Sequence, residues 1–193
     1  MAFNVNTFRN QMKRDGARPN LFEVNLLTEK LRGFSQEGMK EFRFFCKSAQ
    51  LPGSTLGVVS VPYFGREVKF AGNRTFADWT VTIVNDENFL IRNFFERWMN
   101  AINSHASNTR ALITPESYTC DGVVVQYAKS GVPAENYQFV GMFPTDISAI
   151  DLDWGSNDAI EEFTVNFTYQ FWQRKTTTDT GATAFNSPVF AAE

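Results

Sequence analysis

Hydrophobic and polar positions alternate with a period of two in three stretches of this chain, the pattern of half-buried strands. From Leu21 onward, Phe22, Val24 and Leu26 fall on one side and Glu23 and Asn25 on the other. Thr75 to Val84 alternates in the same way, with Phe76, Trp79, Val81 and Ile83 in an aromatic and β-branched run. Glu162 to Trp172 predicts one long strand in which Phe163, Val165, Phe167, Tyr169 and Phe171 alternate with Thr164, Asn166, Thr168 and Gln170. Its one face is greasy and its other face is neutral and polar. Further strands are expected over Glu41 to Ala49, ended by Leu51-Pro52-Gly53, and over Gly122 to Ala128 and Asn136 to Phe143, joined at Gly131-Val132-Pro133.

Two stretches depart from this pattern. In residues 53–75, Gly53, Gly57, Pro62, Gly65 and Gly72 punctuate two β-rich pieces, Val58 to Phe64 and Arg66 to Ala71, which predicts a long hairpin projecting from the core. From Glu87 to Ser104 the period becomes helical: Ile91, Phe94, Phe95, Trp98, Met99 and Ile102 share a face, opposite Arg92, Asn93, Glu96, Arg97, Asn100 and Asn103. Asn85-Asp86-Glu87 supplies an N-cap with acidic residues in the first turn. The aromatic stripe of this helix is suited to covering an open sheet face. Residues 1–16 read as an N-terminal arm or short helix, 105–120 as polar turns, and 174–193 as an extension with little core value. The order predicts a mainly β (α+β) single domain over 1–193, an antiparallel sandwich or half-barrel with one packed helix.

Composition sharpens the picture at two points. The 193 residues include 20 Phe, so aromatic burial must dominate the core, an interface or both. The net charge of -3 hides an asymmetry: residues 1–100 carry 14 Lys+Arg against 10 Asp+Glu, and residues 101–193 carry 4 against 11. Opposite charges on the two halves suit self-association better than nucleic-acid reading, which calls for one dominant basic surface. No apolar run approaches the length of a membrane span, and residues 1–16 lack the apolar segment of a signal peptide, so synthesis in the cytoplasm with reduced thiols is expected.

Candidate chemistry is sparse. One His (His105) and two Cys (Cys46, Cys120) exclude a His-based metal cluster and a disulfide framework. A Cys46–His105 nucleophile pair would need a base placed beside the thiol, which nothing in the sequence provides. Glycine-rich phosphate loops are absent. The acidic group Asp146, Asp151, Asp153, Asp158, Glu161 and Glu162 lacks the fixed spacing of a Ca²⁺ loop, and reads better as an acidic patch or electrostatic interface than as a cation site. No catalytic residue, metal or cofactor is expected. What remains is a sheet with unpaired edges, which must be covered or paired with another chain. Identical subunits do this in closed rings, and head-to-tail contacts that do not close give filaments; a tube of rings uses both.

Specific residues narrow the reading. Ala17-Arg18-Pro19-Asn20-Leu21-Phe22, Cys46-Lys47 leading to Leu51-Pro52, and Ala71-Gly72-Asn73-Arg74-Thr75-Phe76 running through Asp78-Trp79-Thr80-Val81-Thr82 to Asn85-Asp86-Glu87 resemble the tail tube proteins of contractile-tailed bacteriophages. So do Gly141-Met142-Phe143-Pro144-Thr145, Leu152-Asp153-Trp154, Ser156-Asn157 and the strand from Glu162 to Trp172, in the same order. The resemblance spans about residues 17–173. It implies a non-enzymatic virion protein, assembled in the host cytoplasm. Six copies form a ring, strands of neighbours join into a continuous inner β-barrel, and rings stack into the inner tube through which the genome leaves. Implied partners are further copies of itself, the tail sheath, baseplate and tail terminator proteins, and DNA passing without specific binding. A tube of a related contractile injection machine carrying protein is the alternative.

The hairpin then becomes a ring-stacking element, with Leu56, Val58, Val61, Tyr63, Phe64, Arg66 and Lys69 as its contact residues. A conduit must not hold phosphates, so its bore should be neutral or acidic. Glu23, Asn25, Asp78, Thr80, Thr82, Thr164, Asn166, Thr168 and Gln170 are the expected lumen-facing residues.

Overall fold

Alternation builds the centre of the molecule. In the computed structural model, which describes residues 5–12, 16–28, 31 and 37–175, strand β5 (Trp79–Val84) lies antiparallel to β8 (Glu162–Thr168). Trp79 faces Phe167, Val81 faces Val165 and Ile83 faces Phe163, and all six are buried on one side. Around this pair the chain adds α1 (Val5–Gln11), β1 (Phe22–Leu27), α2 (Glu37–Phe45), β2 (Cys46–Ala49), β3 (Thr55–Tyr63) and β4 (Arg66–Thr75). After β5 come α3 (Leu90–Ile102), α4 (Pro115–Tyr118), β6 (Cys120–Tyr127) and β7 (Pro133–Ile147), then β8 and β9 (Phe171–Lys175). Seven strands form one antiparallel sheet in the order β1-β6-β7-β8-β5-β2, with β9 also on β7. Among the described residues the sheet is open, with β1 and β2 at its ends, and β3 and β4 pair only with each other.

The core is aromatic. The Trp79 ring stacks on Phe139 of β7 at 4.4 Å between centroids and meets Phe167 at 5.6 Å, while its indole N–H donates to the Gln50 carbonyl. Ile91, Phe94, Phe95 and Trp98 of α3 are buried, as the helical stripe predicts. Phe95 reaches Phe167 of the sheet, and the Trp98 indole donates to the Tyr118 carbonyl. The helix is shorter than Glu87 to Ser104. Phe89 takes a left-handed conformation (φ 54°), and the Asp86 carboxylate accepts the backbone N–H groups of Asn88 and Leu90. Asp86 thus caps a turn that precedes the helix, and the expected acidic residues are absent from its first turn.

Two strand expectations change. Glu41 to Phe45 belongs to α2, and only Cys46–Ala49 is strand. The spacing of Phe42 and Phe44 mimics alternation, but Phe42 is buried edge-on to Phe95 whereas Phe44 is 80% exposed, so the two point to different sides of a helix. A short apolar run does not separate the two periods by itself. The Glu162 to Trp172 strand breaks at Tyr169-Gln170, opposite Gly141. Gly141 has φ +64°, and a Cβ there would meet Gln170 Cγ at 3.0 Å. The chain bends here; alternation holds through Tyr169, after which Phe171 turns outward and Trp172 packs against the core.

The contrast within α2 is testable. Phe42→Ala should lower unfolding free energy by about 3–5 kcal/mol, the cost of emptying an aromatic core site. Phe44→Ala should change it by no more than about 0.5 kcal/mol, as for an exposed position. Urea denaturation of the two variants measures both.

Candidate functional site

The β3–β4 ribbon stands away from the sheet. Its turn is Phe64-Gly65, both with positive φ (43° and 82°), the conformation of a two-residue type I′ turn that matches strand twist. A left-handed Phe is costly, and this one meets the neighbouring Tyr63 ring edge-on yet stays 91% exposed. Pairing from this turn sets Tyr63 opposite Arg66, Val61 opposite Val68 and Val59 opposite Phe70, so these six side chains share one face. The other face carries Val58 with Ala71, Ser60 with Lys69 and Pro62 with Glu67. At the base the register shifts between Leu56 and Val58, where Gly57 and Gly72 cross so closely that a Cβ on either would meet the other strand's backbone at 3.1 Å.

Of the expected hairpin residues, Val61, Tyr63 and Arg66 lie on the apolar face, Phe64 at the tip, Val58 and Lys69 on the opposite face, and Leu56 below the register shift. Val59, Val68 and Phe70 complete the apolar face and were not expected from sequence. Counting outward from Phe64-Gly65 as the turn would have found them. All are exposed, and a two-stranded ribbon with an uncovered apolar face is marginally stable alone.

The second surface is the outer face of β5 and β8. Thr80 lies opposite Asn166 and Thr82 opposite Thr164. The Thr80 hydroxyl donates to Asn166 Oδ1 at 2.6 Å, the Thr168 hydroxyl donates to Asp78 Oδ1 at 2.6 Å, and Asn166 Nδ2 donates to Asp146 at 3.4 Å. These bonds satisfy the Thr80 and Thr168 hydroxyls and leave Asp78 and Asp146 as the surface's charge. Lys47, at the β2 rim, is tied to Glu162 at 2.5 Å. Six of the nine expected residues, Asp78, Thr80, Thr82, Thr164, Asn166 and Thr168, therefore form one surface. Gln170 sits exposed at the bend beyond β8.

Glu23 and Asn25 do not join it. They lie on β1, at the far end of the sheet, in a cluster with α2. Glu23 accepts from Asn25 Nδ2, from the Tyr127 hydroxyl at 2.7 Å and from Arg43 at 2.7 Å. Burial opposes its charge, but these three bonds and the Arg43 charge prevail and hold its pKa below 4.5. The same contact raises the pKa of Tyr127.

The remaining candidates do not converge on a reaction centre. Burial pushes the Cys46 thiol up to about 12, and it donates to the Ser48 carbonyl. His105 lies on the exposed turn after α3, in an open groove of about 500 Å3 with Arg92, Glu96, Arg97 and Asp146. Among the described residues no three His, Cys, Asp or Glu side chains are grouped to hold a metal ion. The acidic side chains take separate partners: Asp146 bonds Asn166, Glu162 pairs with Lys47, Glu161 accepts from Asn85, and Asp153 caps the Gly155 N–H. The expected extension over 174–193 lies outside the described residues beyond Lys175.

Comparison with known proteins adds a family. Residues 17–175 match the family model described as phage tail tube protein. The chain is 34% identical over 160 residues to "Tail tube protein gp19" of Enterobacteria phage T4, covering 82% of this chain and 92% of that protein. In fold it is similar to a chain of the six-fold symmetrised anti-feeding prophage baseplate (TM-score 0.61, 16% identity, 83% of this chain and 95% of that one). It is also similar to a chain of the PVC sheath-tube complex of an extracellular contractile injection system (TM-score 0.54, 13% identity, 90% and 99%).

The Glu23 cluster gives a pH dependence. Because the folded state lowers its pKa below 4.5, ionised Glu23 adds stability that is present above that pH and is lost as pH falls through the folded-state value. Glu23→Gln should therefore be less stable than the native chain at pH 7. The gap should narrow steadily as pH falls below 4.5, measured by urea denaturation across an acid pH series.

Proposed function

The chain belongs to the phage tail tube protein family, and on that premise we propose how this tail tube protein of a contractile phage builds its conduit. Six copies close into a ring, and rings stack head to tail into the inner tube of the virion tail. The observation that carries this reading is the β3–β4 ribbon, whose apolar face and strained tip stay exposed among the described residues. Such a patch marks an interaction site. The ribbon joins one ring to the next.

Ring closure uses the sheet's open edges. Strand β2 pairs with β5 alone, and the Phe143–Ile147 end of β7 has β8 on one side. Joining these edges between neighbours gives four strands per copy and removes both edges from solvent. The β5–β8 outer face then lines the bore. The Thr80 and Thr168 hydroxyls are bonded within the subunit, and Lys47 at its rim is paired with Glu162, so among the described residues of this face passing DNA meets threonines, Asn166 and carboxylates. Sheath, baseplate and terminator proteins are the partners of the assembled tube.

Two experiments test this function. Replacing residues 56–74 by a short turn should leave folded subunits, with native-like circular dichroism, that form rings but no tubes in electron micrographs. Tubes of normal length would contradict the stacking role. Phage carrying Thr164→Lys should build tails of normal length but eject DNA slowly or incompletely, because each ring would then present several phosphate-binding cations. Unchanged ejection kinetics would remove Thr164 from the bore.

A further inference from the structure

We propose that the ribbon of one copy seats on the loop between β7 and β8 of a copy in the next ring, with Trp154 as the central contact. The proposal rests on the tube reading above and identifies the ribbon's receptor.

Position comes first. The ribbon enters β5 at Trp79, which faces Phe167 near the end of β8, whereas the loop enters β8 at Glu162, which faces Val84 at the other end of β5. The base of the ribbon and the loop thus lie at opposite ends of the same strand pair. Head-to-tail stacking brings opposite ends together, and such a heterologous contact repeats along the axis without closing.

The loop is built as a receptor rather than a slack connection. At one end the Ser148 N–H donates to the Thr164 carbonyl at 2.9 Å, and Arg92 of α3 donates to the Ser148 carbonyl at 3.2 Å. At the other, Asn85 donates its backbone N–H to the Glu161 carbonyl and its side-chain N–H to the Glu161 carboxylate, at 2.8 and 2.9 Å. Between these anchors Asp153 accepts the Gly155 and Ser156 N–H groups and holds a turn that presents Trp154, which is 99% exposed. Leu152 and Ile160 are also largely exposed beside an open groove of about 470 Å3. Three large apolar side chains in one pinned loop are material for an interface core.

Charge selects the occupant. Residues 149–161 carry Asp151, Asp153, Asp158 and Glu161 and no Lys or Arg, while Glu162 at the start of β8 is paired with Lys47. The ribbon carries Arg66, Lys69 and Arg74 against Glu67 alone, with Arg66 on its apolar face. An apolar, basic finger and an apolar, acidic receptor on the two ends of one subunit are complementary, whereas ribbon on ribbon or loop on loop would oppose like charges.

The test uses the full chain, assembled into tubes and scored by electron microscopy. Trp154→Ala removes a side chain that is 99% exposed among the described residues, so folding and rings should persist. The protein concentration needed for tubes should rise roughly tenfold or more, as for loss of an aromatic anchor. Arg66→Glu should do the same, and its combination with Asp151→Arg should restore assembly towards the native concentration. A chain carrying both Phe64→Cys and Trp154→Cys should give a ladder of disulfide-linked oligomers under mild oxidation of tubes, while either single variant should not. Native-like assembly of Trp154→Ala, or tubes of the double-cysteine chain without a ladder, would overturn this pairing and leave the tube reading intact. If the native chain itself never stacks, the tube reading fails first and the pairing fails with it.

Discussion

Pairing of β5 with β8 is the constraint on which the rest of the structure depends. Both strands alternate in step, so one side of the pair presents Trp79, Val81, Ile83, Phe163, Val165 and Phe167, and the other presents threonines, Asn166 and carboxylates at the margin. A register slip of one residue would exchange the two faces. The cross-strand bond from Thr80 to Asn166 and the core contact of Trp79 with Phe139 fix the same register from opposite sides. The aromatic side needs α3 as a cover, which places Phe95 and Trp98, and Phe95 in turn seats Phe42 of α2.

A subunit completed in this way is still incomplete as a molecule. Its buried apolar side is closed by helices, yet among the described residues its sheet has free edges and its ribbon carries an exposed apolar face. Edges left open are a liability in a monomer and a joint in a ring. The abundance of Phe follows the same division. Phe95, Phe139, Phe163 and Phe167 hold the core, whereas Phe64 and Phe70 contribute nothing to their own subunit's interior. Family membership and the open surfaces both support the proposed assembly through contact between copies, while the Cys46 thiol is desolvated within the subunit.

Much of this was legible in the sequence wherever a period ran long enough. The β5 and β8 strands, the α3 stripe and the hairpin over 53–75 all carry repeated signals, and the structure has them. Short signals failed in physically specific ways. Phe42 and Phe44 imitate alternation over too few residues to exclude a helix, and only the packing of Phe42 on Phe95 decides it. The bend at Tyr169-Gln170 depends on Gly141, nearly thirty residues earlier, so nothing local to the last strand announces it. Glu23 and Asn25 share the polar alternation of β5 and β8 but lie at the other end of the sheet order, because alternation reports a face of a strand and not the neighbours beside it. Val59, Val68 and Phe70 were missed because the hairpin's faces follow from its turn, not from composition.

A cryo-EM map of tubes assembled from the native chain, at a resolution that shows side chains, tests the account most directly. It should place Thr80, Thr82, Thr164 and Asn166 on the wall of the bore, with the 55–75 ribbon lying against the neighbouring ring. A bore lined by another face of the subunit, or a ribbon folded back on its own subunit, would contradict the account.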